Sequence, residues 1–138
     1  MDQHKLTVEL ITPERSLITE TGVEQLVAPS VDGQVTILPR HAPLLTILDP
    51  GVVLVRRDGS DEVLAVSGGF LQVQENRVTI LADASERSGE VDRERAERAR
   101  AEAERQISEA QDFDSMLDAR IRLMRALSRL RAAERGSR

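Results

Sequence analysis

With 138 residues and a net charge of −5, the chain can form one small domain plus an appendage, and it lacks the basic excess that follows a nucleic-acid backbone. It has no cysteine, which excludes disulfide and thiol chemistry, and Phe70 and Phe113 are its only aromatics, so no Tyr or Trp can stack on bases. No apolar run reaches the roughly 18 residues of a membrane span, and Met1-Asp2-Gln3-His4-Lys5 lacks an apolar signal core, so membrane association is expected only through a partner.

Taken in chain order, the first 87 residues read as short strands divided by turns. Leu6, Val8 and Leu10 alternate with polar neighbours, an amphipathic strand pattern. Asp32-Gly33 lies between Leu26-Val27-Ala28 and Val35-Thr36-Ile37-Leu38 and signals a hairpin. Leu38-Pro39-Arg40-His41-Ala42-Pro43-Leu44 reads as a Pro-flanked surface loop whose apolar residues, with Leu44 and Leu45, suit a partner surface. A second hairpin turns at Asp58-Gly59-Ser60-Asp61. Gly68-Gly69 is read as a bulge or close backbone approach, because no helix follows it as in a phosphate loop. A third hairpin joins Phe70-Leu71-Gln72-Val73-Gln74 to Arg77-Val78-Thr79-Ile80-Leu81 through Glu75-Asn76. A two-residue loop there pairs Gln74 with Arg77, Val73 with Val78 and Leu71 with Ile80, leaving one face apolar. This repetition predicts an all-β sandwich over residues 1–87.

The grammar changes at Ser88. All five prolines precede it, and Arg, Glu and Ala crowd the rest. The charge splits accordingly, −6 over residues 1–89 and +1 over residues 90–138. One helix is predicted over residues 91–110, with a stripe of Ala96, Ala99, Ala103, Ile107 and Ala110. Gln111-Asp112-Phe113-Asp114-Ser115 interrupts it, with Asp114 or Ser115 as the next N-cap. A second helix is expected over residues 116–133, carrying an apolar arc of Met116, Leu117, Ile121, Leu123, Met124, Leu127 and Leu130. Residues 88–138 thus form an antiparallel helical hairpin. Its alanine face buries little area, so it should dock weakly.

Little in the sequence suits catalysis. His4, near the terminus, and His41, in the Pro-flanked loop, have no triad or metal spacing around them, so neither a catalytic nor a metal site is assigned. Two features point to a ligand. Val91-Asp92-Arg93-Glu94-Arg95-Ala96 opens the first helix, where Asp92 also suits the macrodipole. Arg122, Arg125 and Arg129 fall within about 60° on the second helix, away from the Leu/Met arc, and so favour a polyanion or an acidic protein surface. A solvated face, with Asp118 paired to Arg122, is the plainer explanation.

Asp32-Gly33-Gln34-Val35-Thr36-Ile37-Leu38-Pro39-Arg40-His41-Ala42-Pro43-Leu44 resembles the loop DGxxxILPxHxPL of the epsilon subunits of F-type ATP synthases. Val66-Ser67-Gly68-Gly69-Phe70-Leu71-Gln72-Val73 and Asn76-Arg77-Val78-Thr79-Ile80-Leu81-Ala82-Asp83 match as well, and the resemblance runs essentially the full length. It implies a non-catalytic rotor subunit of the central stalk of a proton-translocating synthase. The sandwich would grip the gamma subunit and contact the c-ring. The hairpin would lie folded or extend along gamma into the alpha and beta subunits, where it inhibits ATP hydrolysis. It also implies a peripheral place on the cytoplasmic side of a bacterial cell membrane. No cofactor is required, but ATP is implied as a regulatory ligand of Glu86, Val91, Asp92, Arg95, Ala96, Arg125 and Arg129, with Glu102 standing where some ATP-binding members have arginine. The alternatives are a nucleotide-independent structural adaptor and, from another class, a small nucleotide hydrolase.

Overall fold

The computed structural model describes residues 5–14, 16–88 and 91–136, so His4 lies outside the described residues. Ten strands are found there: β1 (Leu6–Ile11), β2 (Ser16–Val23), β3 (Gln25–Ser30), β4 (Gly33–Ile37), β5 (Leu44–Leu48), β6 (Gly51–Arg57), β7 (Ser60–Val66), β8 (Gly69–Gln74), β9 (Arg77–Ala82) and β10 (Ser85–Arg87). Two helices follow, α1 (Arg93–Glu109) and α2 (Phe113–Gly136). The strands run in the order β10-β7-β6-β3-β5-β8-β9-β1-β2, with β4 added to β3. All neighbours pair antiparallel except β1 and β9.

Alternation explains how this ribbon closes on itself. Leu6, Val8 and Leu10 of β1 point to one side, as do Leu71 and Val73 of β8 and Val78 and Ile80 of β9. Leu26 and Ala28 of β3, Val53 and Val55 of β6, and Leu64 and Val66 of β7 close the same core from the opposite layer. The result is the expected β-sandwich followed by two helices. Its core is aliphatic, because the one aromatic of the strand region, Phe70, faces outward.

The turns follow from backbone chemistry. Glu75 and Asn76 have φ of 49° and 61°, and Asp58 and Gly59 have 52° and 77°. Two consecutive left-handed residues give the tight turn whose twist matches antiparallel strands. The pairing of Gln74 with Arg77, Val73 with Val78 and Leu71 with Ile80 is as expected. The first hairpin turns one residue earlier than Asp32-Gly33 suggests. Ser30 pairs with Gly33 across Val31-Asp32, and the Ser30 hydroxyl donates to the Gly33 carbonyl at 2.6 Å. That local bond fixes the turn where the side chain can close it.

Gly69 is a close backbone approach, as expected of Gly68-Gly69. Its φ is +138°, and a Cβ there would stand 2.1 Å from the Leu81 carbonyl oxygen. Leu44 corrects the loop reading. It is the first residue of β5 and packs partly buried against the core, whereas Leu45 turns outward.

The first helix lies within its expected span of 91–110, whereas the second begins earlier and ends later than its apolar residues indicate. Asp92 caps α1, accepting from the Arg95 amide at 3.1 Å. For α2 the cap is Asp112 rather than Asp114 or Ser115, since its carboxylate accepts from the Ser115 amide at 2.7 Å. The contact lines also differ from expectation. On α1 only Ala96 and Ala103 are buried, while Ala99 is exposed. On α2 the buried residues are Ala119, Ala126, Ser128 and Ala132, while Leu117 and Met124 of the expected arc are exposed. Seven-residue spacing keeps Ala96 and Ala103, and likewise Ala119 and Ala126, on one line. Small side chains on both lines let the helices approach closely, and the longer ones are pushed to the flanks. Ala132 then packs with Val63 and Ala65 of β7, beside Val52 and Leu54 of β6, which seats the hairpin on the sandwich.

Gly69→Ala should lower stability in urea by about 3 kcal/mol, because strain and a backbone clash combine. Gly33→Ala has a comparable φ of +114° with open space around the added methyl, and should cost only about 1 kcal/mol of backbone strain. Equal losses for the two would count against the clash.

Candidate functional site

The site is built where three elements meet. β10 contributes Ser85 and Glu86, held beside β7 by the pairs Ser85–Val66 and Glu86–Ala65. α2 runs over this edge and contributes Arg125, Ser128 and Arg129. Together with Ala65, Val66, Ser67 and Ala84 these residues enclose a cavity of about 260 Å³. Its floor is apolar and its rim is charged. Ser128 is buried and donates to the Arg125 carbonyl at 2.9 Å, a bond within its own helix. The hydroxyl of Ser85 is buried with no hydrogen-bond partner among the described residues.

A separate groove of about 360 Å³ lies between the two helices, lined by Ala99, Glu102, Ala103, Gln106, Arg122, Arg125, Ala126 and Arg129. Arg125 and Arg129 belong to both spaces. The three arginines therefore converge as their spacing predicts, but on an interhelical groove rather than an open face. Alanines at the contact line leave room for this groove.

The charges are partly spent. Arg129 donates from Nε at 2.7 Å and from Nη2 at 2.5 Å to one oxygen of Glu86, tying α2 to β10. Arg122 donates to the Gln106 side chain of α1 at 2.8 Å, rather than pairing with Asp118. Arg125 has no partner for its guanidinium among the described residues. On the far wall, hydrogen bonds from Arg105 hold the Glu102 carboxyl below its ordinary pKa, so it stays charged. On the other side of β10, Arg87 pairs with Glu62 of β7 at 2.6 Å. Burial, with Glu20 close by, nonetheless pushes the Glu62 carboxyl upward.

The structure brings Glu86, Arg125 and Arg129 together around one cavity. Val91, Asp92, Arg95 and Ala96 line neither space. Asp92 is occupied as the cap of α1, Arg95 is exposed, and Ala96 is buried in the helix contact. Ser85, Gln106 and Ser128 also line these spaces and carry no local sequence signal. Only the β10–β7 register and the interhelical fit place them, and neither leaves a local pattern.

A second surface lies on the sandwich. Ile47 pairs with Phe70 and Phe70 with Leu81, and all three side chains are about half exposed. Leu45, two residues from Ile47 and so on the same face, is 72% exposed. These residues form a continuous apolar strip across β5, β8 and β9, with Leu38 and Val31 also exposed nearby in sequence.

A sandwich with a helical hairpin seated on its edge defines the architectural class. Residues 5–88 match the model of the ATP synthase delta/epsilon chain β-sandwich domain. The ATP synthase epsilon chain of Herpetosiphon aurantiacus is 46% identical over 94% of this chain and 94% of its own. That of Chloroflexus aggregans is 47% identical over 92% and 91%. The fold also matches a chain in the Euglena gracilis mitochondrial ATP synthase structure, OSCP/F1/c-ring in rotational state 1 (TM-score 0.79, 22% identity, 98% of this chain and 82% of that one). The chain belongs to the ATP synthase epsilon chain family. Among the described residues no helix is long and apolar enough to cross a membrane.

Replacing Arg129 by Gln should loosen α2 without unfolding the sandwich, because Glu86 and Arg129 join the two. Each side chain is about 30% exposed, so a double-mutant cycle with Glu86→Gln should give a coupling of only about 0.5–1 kcal/mol. Amide exchange would read it, as faster exchange in α2 and unchanged protection in β8 and β9. Equal loosening of both parts would show that the pair does not act as a local tie.

Proposed function

We propose that the chain is a non-catalytic rotor subunit in the central stalk of a proton-translocating ATP synthase. Its sandwich binds the gamma subunit and rests near the c-ring. Its hairpin leaves the sandwich to reach the alpha and beta subunits, where it restrains ATP hydrolysis. It associates with the cytoplasmic face of the cell membrane only through this complex. The carrying observation is how thinly the hairpin is held: alanines, one small apolar cluster and the Glu86–Arg129 pair. A few kcal/mol make both positions reachable.

In the same reading ATP is the ligand that favours the folded arm. Its phosphates meet Arg125, which has no competing partner among the described residues, and its base enters the apolar cavity over Ala65, Val66 and Ala84. Asp92 and Arg95, implied by the family resemblance, reach this ligand only by shifting from their present places. A ligand of the folded state alone stabilises it by about 1.4 kcal/mol at tenfold excess over Kd. The nucleotide-independent adaptor gains support from Arg122 and Arg129, which already have partners within the chain.

Calorimetric titration of the whole chain with ATP separates these readings. Binding heat and a raised Tm, both lost in Arg125→Gln, are expected; silence with millimolar ATP leaves the adaptor. The apolar strip is tested apart from the nucleotide. Leu45→Glu should weaken capture of gamma by at least tenfold, as for a central interface residue, and scarcely change stability, because Leu45 is exposed. Capture at wild-type strength would move the gamma contact to another face.

A further inference from the structure

The two ends of the sheet, β2 and β10, meet around β7. β10 pairs with β7 directly. β2 ends the order on the other side, but its chain turns into β3 beside β6, where the Glu24 amide donates to the Arg56 carbonyl at 2.8 Å. Register then turns acidic side chains inward at this seam. Glu62 of β7 stands opposite buried Val55 of β6, and Glu20 of β2 stands opposite buried Val8 of β1. Residues directly opposite share a face, so both carboxyls point between the layers. For Glu20 the cause is a bulge. Leu6 pairs with Val23 and Val8 with Glu20, so β2 carries an extra residue across Thr21-Gly22, and Gly22 has φ of 70°. Strict alternation would send Glu20 and Val23 to opposite faces; the extra residue turns both toward the core.

Arg87 of β10 stands opposite buried Leu64, reaches the same face and pairs with Glu62 at 2.6 Å. Glu20 lies within hydrogen-bond reach of the Glu62 carboxyl. Two ionised carboxylates repel and neither can donate. One proton between them makes the contact a hydrogen bond, and Arg87 balances the charge that remains. Glu20 and Arg87 are the charged groups that face Glu62 among the described residues. Arg57, further along β6, lies 4.0 Å from Asp58, while Arg56 and Asp61, 3.0 Å apart, occupy the opposite face of the strand pair.

We propose that Glu20, Glu62 and Arg87 form a proton-operated clasp between the two ends of the sheet, closed when the carboxyl pair holds one proton and slack when it holds none. Burial first, and Glu20 second, push the Glu62 carboxyl upward, with Arg87 opposing. The folded chain therefore binds this proton more tightly than the unfolded chain. The contribution of the clasp is complete below the ordinary glutamate range and is lost as pH rises through the raised value of Glu62. It acts on β2 against β7 and β10 and leaves β8 and β9, in the middle of the order, unaffected.

The test uses the full chain. Carbon-detected titration of the glutamate carboxyls should find Glu62 above the ordinary carboxylate range, and Glu20→Gln should lower it only partway, because burial remains. Amide-exchange protection factors for β2 are compared at about pH 5 and about pH 7. The Glu62 side chain is 26% exposed, so in the wild type they should fall only about two- to fivefold at the higher pH, with β8 and β9 unchanged. In Glu20→Gln the new amide donates to Glu62 without a titrating proton, so protection of β2 should no longer fall. Glu62→Gln should flatten the response in the same way. Glu24→Gln is the control, because Glu24 lies at the same corner but pairs with Lys5 at 3.9 Å, and it should keep the wild-type fall. A Glu62 carboxyl that titrates in the ordinary range, or an equal fall in the wild type and both clasp variants, overturns the proposal.

Discussion

Small side chains join the two helices of the arm to each other and seat the arm on the sandwich. Ala96 and Ala103 meet α2, Ala119 and Ala126 meet α1, and Ala132 meets β7. A buried methyl contributes under about 1 kcal/mol, so five such contacts cannot match a row of buried leucines. Close helix approach is the return for small size, and it also creates the groove in which the arginines converge. The longer apolar residues of α2 are displaced outward, where Leu117, Met124 and Phe113 remain exposed. One sequence choice therefore gives a small buried contact, a groove between the helices and exposed apolar residues on α2.

The first helix does not rely on docking alone. Arg100 bridges Glu97 and Glu104, and Arg105 bridges Glu102 and Glu109, at three- and four-residue spacing. Pairs at this spacing face each other on the helix surface and favour the helical state. They are exposed and screened by salt, so their effect is local, but together with the Asp92 cap they favour helical α1 with few buried contacts. The sandwich has the opposite economy: a continuous aliphatic core and hairpins whose turns fix their own register.

Much of this was legible in the sequence where the determinant is local. Glu75-Asn76 and Asp58-Gly59 encode turns in their own backbone preferences, and alternation on either side fixes which residues face inward. Asp92 announces a helix start in the same way. Legibility failed where a partner distant in the chain decides. β10 is only three residues long and exists because β7 offers it an edge. Hydrophobicity points to leucine and methionine for the buried line of α2, whereas packing against α1 and β7 buries Ala119, Ala126 and Ala132. The convergence of the arginines was visible from their spacing, but nothing local predicts that Glu86, 43 residues away, would take Arg129.

That pair gives the site its dual character. In the folded chain Arg129 neutralises Glu86 and thereby ties the hairpin to β10. Any anion that draws Arg129 away must also leave a partly buried carboxylate without its cation, which opposes binding. An anion that takes Arg125 and leaves the Glu86–Arg129 pair intact avoids that penalty. Such a ligand adds to the tie instead of competing with it, because it bridges α2 to the cavity floor on β7. The arrangement thus sets neighbouring arginines one helical turn apart in different states: Arg129 ties the arm to β10, and the guanidinium of Arg125 keeps no partner among the described residues.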